Sequence, residues 1–537
     1  ERTVAALLDA ACKPVIKNYL DRASDRLPGG LPESTPVLIM LSNGEVVSAA
    51  EAMMRPLATA MSGPAAGVLA CTALAGAAGL EKVITLDAGG ASTEVSLLEG
   101  GVPRLVARPQ LGSYTIPVPM LDLATAGIGG ESVAWIGKDK KLRVGPQSVG
   151  ADPGPMCYGK GGEEPTVTDA QLFLGRLPES LAGGALPLDQ KSAGEGIGKI
   201  AETLKIPLVD AALGIIEMAV EEQVLAIRRL TVLEGKDPRE FSLIAIGGAG
   251  PLMAADIAGA LGIKRLILPP RSGCGSAAGL AGAVEAGRVD PPKTKPGSGA
   301  EVARTGEREV YFNGMGFVPV PLYGHHLLGE GDSFHGPAII EEAGSTAVVP
   351  PRCHCGVDEW GNLRIHLSGM SGPSSIAARE ARGGARPIVQ EIIEGAINTA
   401  EKEMEEIIGR AARSAIMRDL RDHRACLFDR EGRKLTGRSF SAVADTALKN
   451  WPAEDIYEGD VFIWNDPYQS EGGIGALRPC AFAFRFFIVR NSPPSASRPA
   501  TSTISAARLR PPSGQIPPTF SRKASSFRPS SSLSTAP

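Results

Sequence analysis

Apolar and polar positions along this chain fall into two rhythms, one of helical period and one of short runs broken by glycine and proline. Val4, Leu7, Leu8, Ala11, Val15 and Leu20 share one side of a predicted helix within residues 1–35, which ends in a Pro/Gly-rich loop. Val37 to Met40 reads as a buried strand, and Ser62 as the cap of a helix with Pro64 in its first turn. Val83 to Leu98 reads as strand, tight polar turn, strand. Residues 103–170 read as further strands and loops. Leu213, Ile216, Val220, Val224 and Ile227 mark an amphipathic helix within 209–235. Phe241 to Pro251 is a strand followed by a glycine turn, and a helix follows with Leu252, Ile257 and Leu261 on its apolar face. Lys264 to Leu268 is a strand, and 272–287 a Gly/Ala-rich, close-packed helix. Residues 300–366 are β-rich, and 367–386 are a linker by composition. Val389, Ile393, Ala396, Ala400, Met404, Ile407 and Ala411 then give a long amphipathic helix.

The two glycine turns carry the candidate chemistry. In Asp87-Ala88-Gly89-Gly90-Ala91-Ser92-Thr93, two glycines that can take φ > 0 follow a strand-end acid, with two hydroxyls beyond them. Successive N–H groups in such a turn form a concave nest for anions. The acid can hold hydrated Mg²⁺ against phosphate oxygens. An ordinary β-hairpin turn fits the same residues. Gly247-Gly248-Ala249-Gly250-Pro251 is the second such turn, and the pair suggests two walls of one nucleotide cleft.

Composition narrows the class. A 43% apolar content and a formal net charge of −4 describe a soluble globular protein and predict neither nucleic acid nor an anionic membrane as partner. No apolar run is long enough for a transmembrane helix, and no signal peptide is visible. The eight cysteines are scattered, as reduced thiols of a cytoplasmic protein would be. Cys353-His354-Cys355 lacks a second pair at zinc spacing.

Beyond composition, the Asp87 to Thr93 segment resembles the second phosphate loop of the actin/hexokinase/Hsp70 ATPase superfamily, and Gly247 to Pro251 its adenosine loop. Ser42-Asn43-Gly44, Ser62 to Gly67, Gly150 to Pro155 and Pro165 to Ala170 occur in the order of one branch of that superfamily. On these motifs the chain resembles the hydantoinase/5-oxoprolinase family, A component, from about Glu1 to His366. Arg418 to Asp429 and Gly459 to Tyr468 resemble the start of the B component, so A and B look fused. The implied fold class is α/β. It comprises a partial actin-like ATPase lobe (1–300, its N-terminal lobe missing), a small β-rich domain (301–366), a linker (367–386) and a truncated hydantoinase B-like α+β start (387–490).

Three departures from the family pattern stand out. A Gly-rich first phosphate loop has no counterpart here. Glu131 sits where a glycine usually ends the stretch containing Asp122, Gly127, Gly129 and Gly130, which the resemblance puts near the cleft. The His and Asp that supply metal ligands soon after Asn465-Asp466-Pro467-Tyr468 in the family are absent from Glu471 to Cys480, so no metal ligand is named. No acid follows Glu471, and residues 491–537 are mostly Ser, Pro, Ala, Arg and Thr, a composition expected to lack packed structure. Either a disordered tail or an out-of-frame translation of a GC-rich gene gives this residue set, and the break near Gly475 favours the second.

The resemblance implies an ATP-dependent hydrolase of cyclic amides of the hydantoin or 5-oxoproline type, with ATP phosphorylating the ring carbonyl oxygen before water opens the ring. The implied cofactors are ATP and Mg²⁺, with a second divalent metal in an intact B component. Partners would be a small cyclic amide or ketone substrate and A/B-type subunits of a homo- or hetero-oligomer. The expected roles are catalytic for Asp87 and cofactor-binding for Gly89, Gly90, Ser92, Thr93, Gly247, Gly248, Ala249 and Gly250. A subunit of an acetone/acetophenone-type carboxylase and a non-catalytic fragment are the competing readings. With one wall of the cleft missing, ATP binding is expected to be weak or absent.

Overall fold

The computed structural model describes residues 2–25, 36–111, 114–284, 293–367, 387–412, 423–428, 433–435, 461–464, 480–487 and 502–509. The chain divides into two compact units, Glu1–Val389 and Gln390–Pro537.

The first unit is built on one mixed sheet. Its strands, in chain order, are β1 (Lys82–Ala88), β2 (Thr93–Glu99), β3 (Ala124–Ala126), β4 (Ser242–Ile246) and β5 (Arg265–Leu268). A β-rich region follows, comprising β6 (Arg304–Phe312), β7 (Gly316–Gly324), β8 (Ser333–His335), β9 (Ala338–Glu341), β10 (Thr346–Val349), β11 (His354–Val357) and β12 (Leu363–His366). The central order is β3-β2-β1-β4-β5-β12-β11-β8, and the short strand Val102–Pro103 pairs with β2. β1 runs parallel to β4, and β4 to β5; β2 is antiparallel to β1. Three strands of the β-rich region thus extend the main sheet, while β6-β7-β9-β10 form a sheet of their own.

Helices cover both faces of the sheet. This explains why β1 and β4 read as near-continuous apolar runs rather than as alternating ones. One face packs on α2 (Ser62–Ala77) and α7 (Gly275–Val284), around Ala66, Val68, Cys71, Val83, Ile244 and Ile246. Against the other lie α5 (Leu208–Leu230) and α6 (Gly250–Leu261), with α3 (Val167–Phe173) and α4 (Gln190–Leu204) packed outside α5. α2 and α7 touch backbone to backbone: a Cβ built on Gly279 would lie 1.9 Å from the Ala66 carbonyl oxygen.

Two local expectations change. Ser62 is not a cap, because α2 already includes it. Met61 precedes the helix with φ −117° and ψ 31°, and no side chain caps it. The chain enters already turning, from a 3-10 segment at Pro56–Thr59, so no extended residue is left to present a hydroxyl to the first turn. In α1 (Arg2–Asp25) the predicted apolar side is split. Leu8 and Ala5 pack against Leu57, Ile116 and Met120, and Leu20 is buried, while Leu7 and Val15 are exposed.

Of the second unit, helix α8 (Pro387–Ala411) and four antiparallel strands are described: β13 (His423–Phe428), β14 (Val461–Trp464), β15 (Cys480–Phe487) and β16 (Ser502–Leu509), ordered β13-β16-β15-β14. Glu401 of α8 accepts the Leu427 N–H (2.9 Å), tying the helix to edge strand β13. β16 falls inside the stretch 491–537 that composition marked as lacking packed structure. Its backbone finds partners on two sides, in β13 and β15. The linker beyond Leu367, the Asn465 to Tyr468 motif and Glu471 to Pro479 lie outside the described residues.

Candidate functional site

The two glycine turns meet. β1 and β4 pair in register from Val83↔Ser242 to Asp87↔Ile246, so both turns leave the same end of the sheet. Beyond the strands the Ala249 N–H donates to the Ala88 carbonyl at 2.9 Å, which joins the turns directly. The β1–β2 turn is closed by Gly89 N–H to the Ser92 carbonyl (3.0 Å), while the Gly90 and Ala91 amides take no backbone partner among the described residues.

Asp87, the last residue but one of β1, lies on the α2/α7 face, between three small residues. A Cβ on Gly67 of α2 would lie 2.7 Å from its Oδ2, and one on Gly247 would lie 2.6 Å from its Oδ1. Ser276, in the first turn of α7, donates its hydroxyl to Oδ2 at 2.6 Å. Burial raises the Asp87 carboxyl above its ordinary range, and the Ser276 hydroxyl draws it partly back. Beneath it the Cys71 thiol is pushed far up by burial and by the Asp87 charge, which leaves it an unreactive core group.

A third loop, the glycine stretch near residue 130, closes over the first turn. Gly130 N–H donates to the Gly89 carbonyl (3.0 Å) and Glu131 N–H to the Gly90 carbonyl (2.7 Å). A Cβ on Gly129 would strike both carbonyls, and one on Gly90 would lie 2.4–2.6 Å from the Glu131 carboxyl group. Glu94, opposite Asp87 on β2, accepts the Ser92 hydroxyl at 2.7 Å. Burial pushes the carboxyls of Glu94 and Glu131 up as well, and for Glu94 the Asp87 charge adds to it. Three carboxyls around one glycine turn are thus each made reluctant to ionise, an environment that a cation would relieve.

Not every site expectation holds in form. The left-handed backbone expected at Gly89 and Gly90 is not adopted; of the four turn glycines Gly89, Gly90, Gly247 and Gly248, Gly247 alone takes positive φ, at +86°. Gly90 is constrained by the Glu131 carboxyl group instead. Thr93 turns inward, buried, its hydroxyl donating to the Ile128 carbonyl at 2.6 Å, so it anchors the third loop. Ser92 is engaged with Glu94. Gly250 begins α6. Asp122 pairs with Arg104 near the surface. Asp169, in the first turn of α3, completes a capping box with the cap residue Thr166: buried, it accepts from Thr166 N–H, Thr166 Oγ1 and Cys157 N–H, each at 2.8 Å. Sequence reasoning did not single out Gly67, Glu94 or Ser276 for the Asp87 environment. Gly67 and Ser276 lie on helices remote in sequence, and their only signal was the small-residue character of both segments. Among the described residues no group of three His, Cys, Asp or Glu side chains is arranged to hold a metal ion.

Known proteins resemble this chain in sequence and fold. The sequence profile described as hydantoinase/oxoprolinase matches residues 2–286, that of the hydantoinase/oxoprolinase C-terminal domain matches 282–368, and that of hydantoinase B/oxoprolinase matches 386–477. The chain belongs to the hydantoinase/oxoprolinase family. Within it, this family member is 39% identical over 270 residues to the caprolactamase alpha subunit of Pseudomonas jessenii, covering 50% of this chain and 39% of that one. It is 35% identical over 264 residues to the acetophenone carboxylase gamma subunit of Aromatoleum aromaticum, covering 48% and 36%. The crystal structure of the ATP-dependent caprolactamase from Pseudomonas jessenii superposes with a TM-score of 0.58 at 26% identity, covering 68% of this chain and 70% of that chain. The fold is that of the actin-like ATPases. The chain spans well under half the length of these two curated relatives. No described helix is long and apolar enough to cross a membrane.

Proposed function

We propose that this chain is the nucleotide-handling part of an ATP-dependent enzyme that activates the carbonyl of a small cyclic amide for hydrolysis. The observation that carries the reading is the junction of the two glycine turns at Ala88 and Ala249, with the Asp87 carboxylate held beside it. The residues suit Mg²⁺–ATP. The Gly90 and Ala91 amides, without a backbone partner among the described residues, can receive phosphate oxygens, and a carboxylate disfavoured by burial gains from a cation nearby. Bound there, Mg²⁺–ATP would supply a transferable phosphoryl group. Asp87 would orient the metal's water shell and Ser276 would fix the Asp87 rotamer. The bond from Ala249 to Ala88 would hold the adenosine-side turn at a constant distance from the phosphate-side turn. Activation of a ketone for carboxylation is the second reading, supported by the similarity to an acetophenone carboxylase subunit.

Titration calorimetry with ATP and Mg²⁺ tests the site. Weak, saturable binding is expected, abolished in Asp87→Ala with the fold retained and in Gly247→Val. Absence of saturable binding by the parent chain at millimolar ATP overturns the reading. Phosphate release stimulated by a lactam supports the hydrolase reading; stimulation by a ketone with bicarbonate instead supports the carboxylase reading.

A further inference from the structure

The turn at Gly247 is held from outside its own layer. The Gly247 N–H donates to the Ser272 carbonyl at 2.8 Å, so the conformation of the Ser272–Cys274 segment sets where the Gly-Gly turn sits. That segment is in turn held by the β9–β10 turn of the β-rich region. Glu342 Oε1 accepts the Arg271 N–H at 2.9 Å, and Arg271 itself has φ +57°, a left-handed conformation that an arginine adopts only where its surroundings require it. The Ser272 and Ser345 hydroxyls lie 2.9 Å apart, and Ser345 donates to Glu342 Oε2 at 2.9 Å. The backbones also abut: a Cβ on Gly273 would lie 2.3 Å from the Gly344 carbonyl oxygen.

Glu342 is fixed by a buried histidine. His325, 6% exposed, places Nδ1 2.5 Å from Glu342 Oε1 and Nε2 2.8 Å from the Gly361 carbonyl. The ring is thus held between the Glu342 carboxyl group and a backbone carbonyl, which fixes its orientation against Glu342.

We infer that Glu342, oriented by His325, is a positioning residue for the Gly247 turn: the β-rich region sets the geometry of the candidate adenosine loop through Arg271, Ser272 and the Ser272 carbonyl. The functional meaning rests on the ATP-site reading above, while the mechanical coupling does not. Hydrogen exchange on the full chain separates them. In Glu342→Ala the Gly247 amide should exchange at least tenfold faster, with Glu342→Gln intermediate because one acceptor remains for the Arg271 N–H. Asp332→Asn is the control. Asp332 is also buried in the β-rich region, but it accepts from Gly299 and Gly329 N–H, each at 2.9 Å. It should loosen those amides and leave Gly247 protected. Unchanged Gly247 exchange in Glu342→Ala, or equal acceleration in Asp332→Asn, overturns the inference. If Glu342→Ala does not fold, Glu342→Gln and His325→Asn against Asp332→Asn decide it by the same comparison. ATP affinity should fall in step with lost protection. If the parent chain binds no ATP, the nucleotide reading fails while Gly247 exchange still decides the coupling.

Discussion

Gly247 and Gly248 are neighbours in sequence and look interchangeable, yet the structure makes opposite demands of them. Gly247 has φ +86°, and a Cβ there would lie 2.3 Å from the Ala88 carbonyl oxygen and 2.6 Å from Asp87 Oδ1. At Gly248 the backbone does not take positive φ, and a Cβ would lie 3.6 Å from the Gly344 carbonyl oxygen, an ordinary contact. The left-handed conformation costs an alanine about 1–2 kcal/mol. Displacing a backbone carbonyl and a carboxylate adds an overpacking cost of about 1–3 kcal/mol. Gly247→Ala should therefore lose about 2–4 kcal/mol, the two contributions overlapping because one backbone shift relieves both. Gly248→Ala should be neutral, or gain up to about 1 kcal/mol from a stiffer unfolded chain. Urea denaturation of both variants beside the parent, followed by far-UV circular dichroism, gives the comparison. Equal losses at the two positions, or no loss at Gly247, would refute the argument that the turn's shape, not glycine content alone, fixes this corner.

Three further outcomes follow from the same contacts. Because burial raises the folded Asp87 carboxyl above its unfolded value, its contribution is fully favourable only below the ordinary aspartate range and is lost as pH rises through the raised value; Asp87→Asn should melt higher than the parent at pH 7 while losing any response to Mg²⁺–ATP, and a lower melting temperature would count against the burial account. Glu342 behaves in the opposite sense: against the upward push of burial, the bond from His325 and its charge, then the Arg271 N–H and Ser345 hydroxyl, hold it below its ordinary range. Its stabilisation is present above that range and lost as pH falls through the lowered value, so the melting deficit of Glu342→Gln should be largest near neutrality and shrink in acid. In the α2/α7 pair, Gly279→Ala should destabilise by about 1–3 kcal/mol or prevent folding, since its Cβ would sit 1.9 Å from the Ala66 carbonyl oxygen; Gly282→Ala, which meets nothing within 4 Å, should gain about 0.5–1 kcal/mol.

Much of the central layer was legible because its signals are local. Val83 to Leu98 and Phe241 to Leu261 announce strand, turn and helix through apolar runs, paired glycines and a proline in the first helical turn. The helix at Leu208–Leu230 followed from its period alone. What escaped depends on contacts between distant segments. Nothing near Gly67 or Ser276 shows that both face Asp87, because the pairing is made by two helices crossing the same strand. Glycine content suggested left-handed backbone at Gly89 and Gly90, whereas Gly90 is reserved by a carboxyl group arriving from residue 131. Ser62 looked like a cap because hydroxyl residues often are, and lost that role to a preceding 3-10 turn. Strand β16 escaped because backbone pairing asks little of side-chain hydrophobicity.

The parallel seam between β1 and β4 also sets an order of assembly. Its two halves, Val83 to Asp87 and Ser242 to Ile246, are separated by the three helices α3, α4 and α5, whereas β1 and β2 are joined by a short turn. During synthesis the β1–β2 hairpin can form while Asp87 still faces water and ionises freely. The cage closes only once β4, Gly247 and then Ser276 have emerged, and at that moment an established charge must give up its hydration. A late step of this kind is one that acid or a divalent cation in the refolding buffer would hasten, so the rate at which the chain closes on itself becomes a reporter of what the corner beside Asp87 is built to receive.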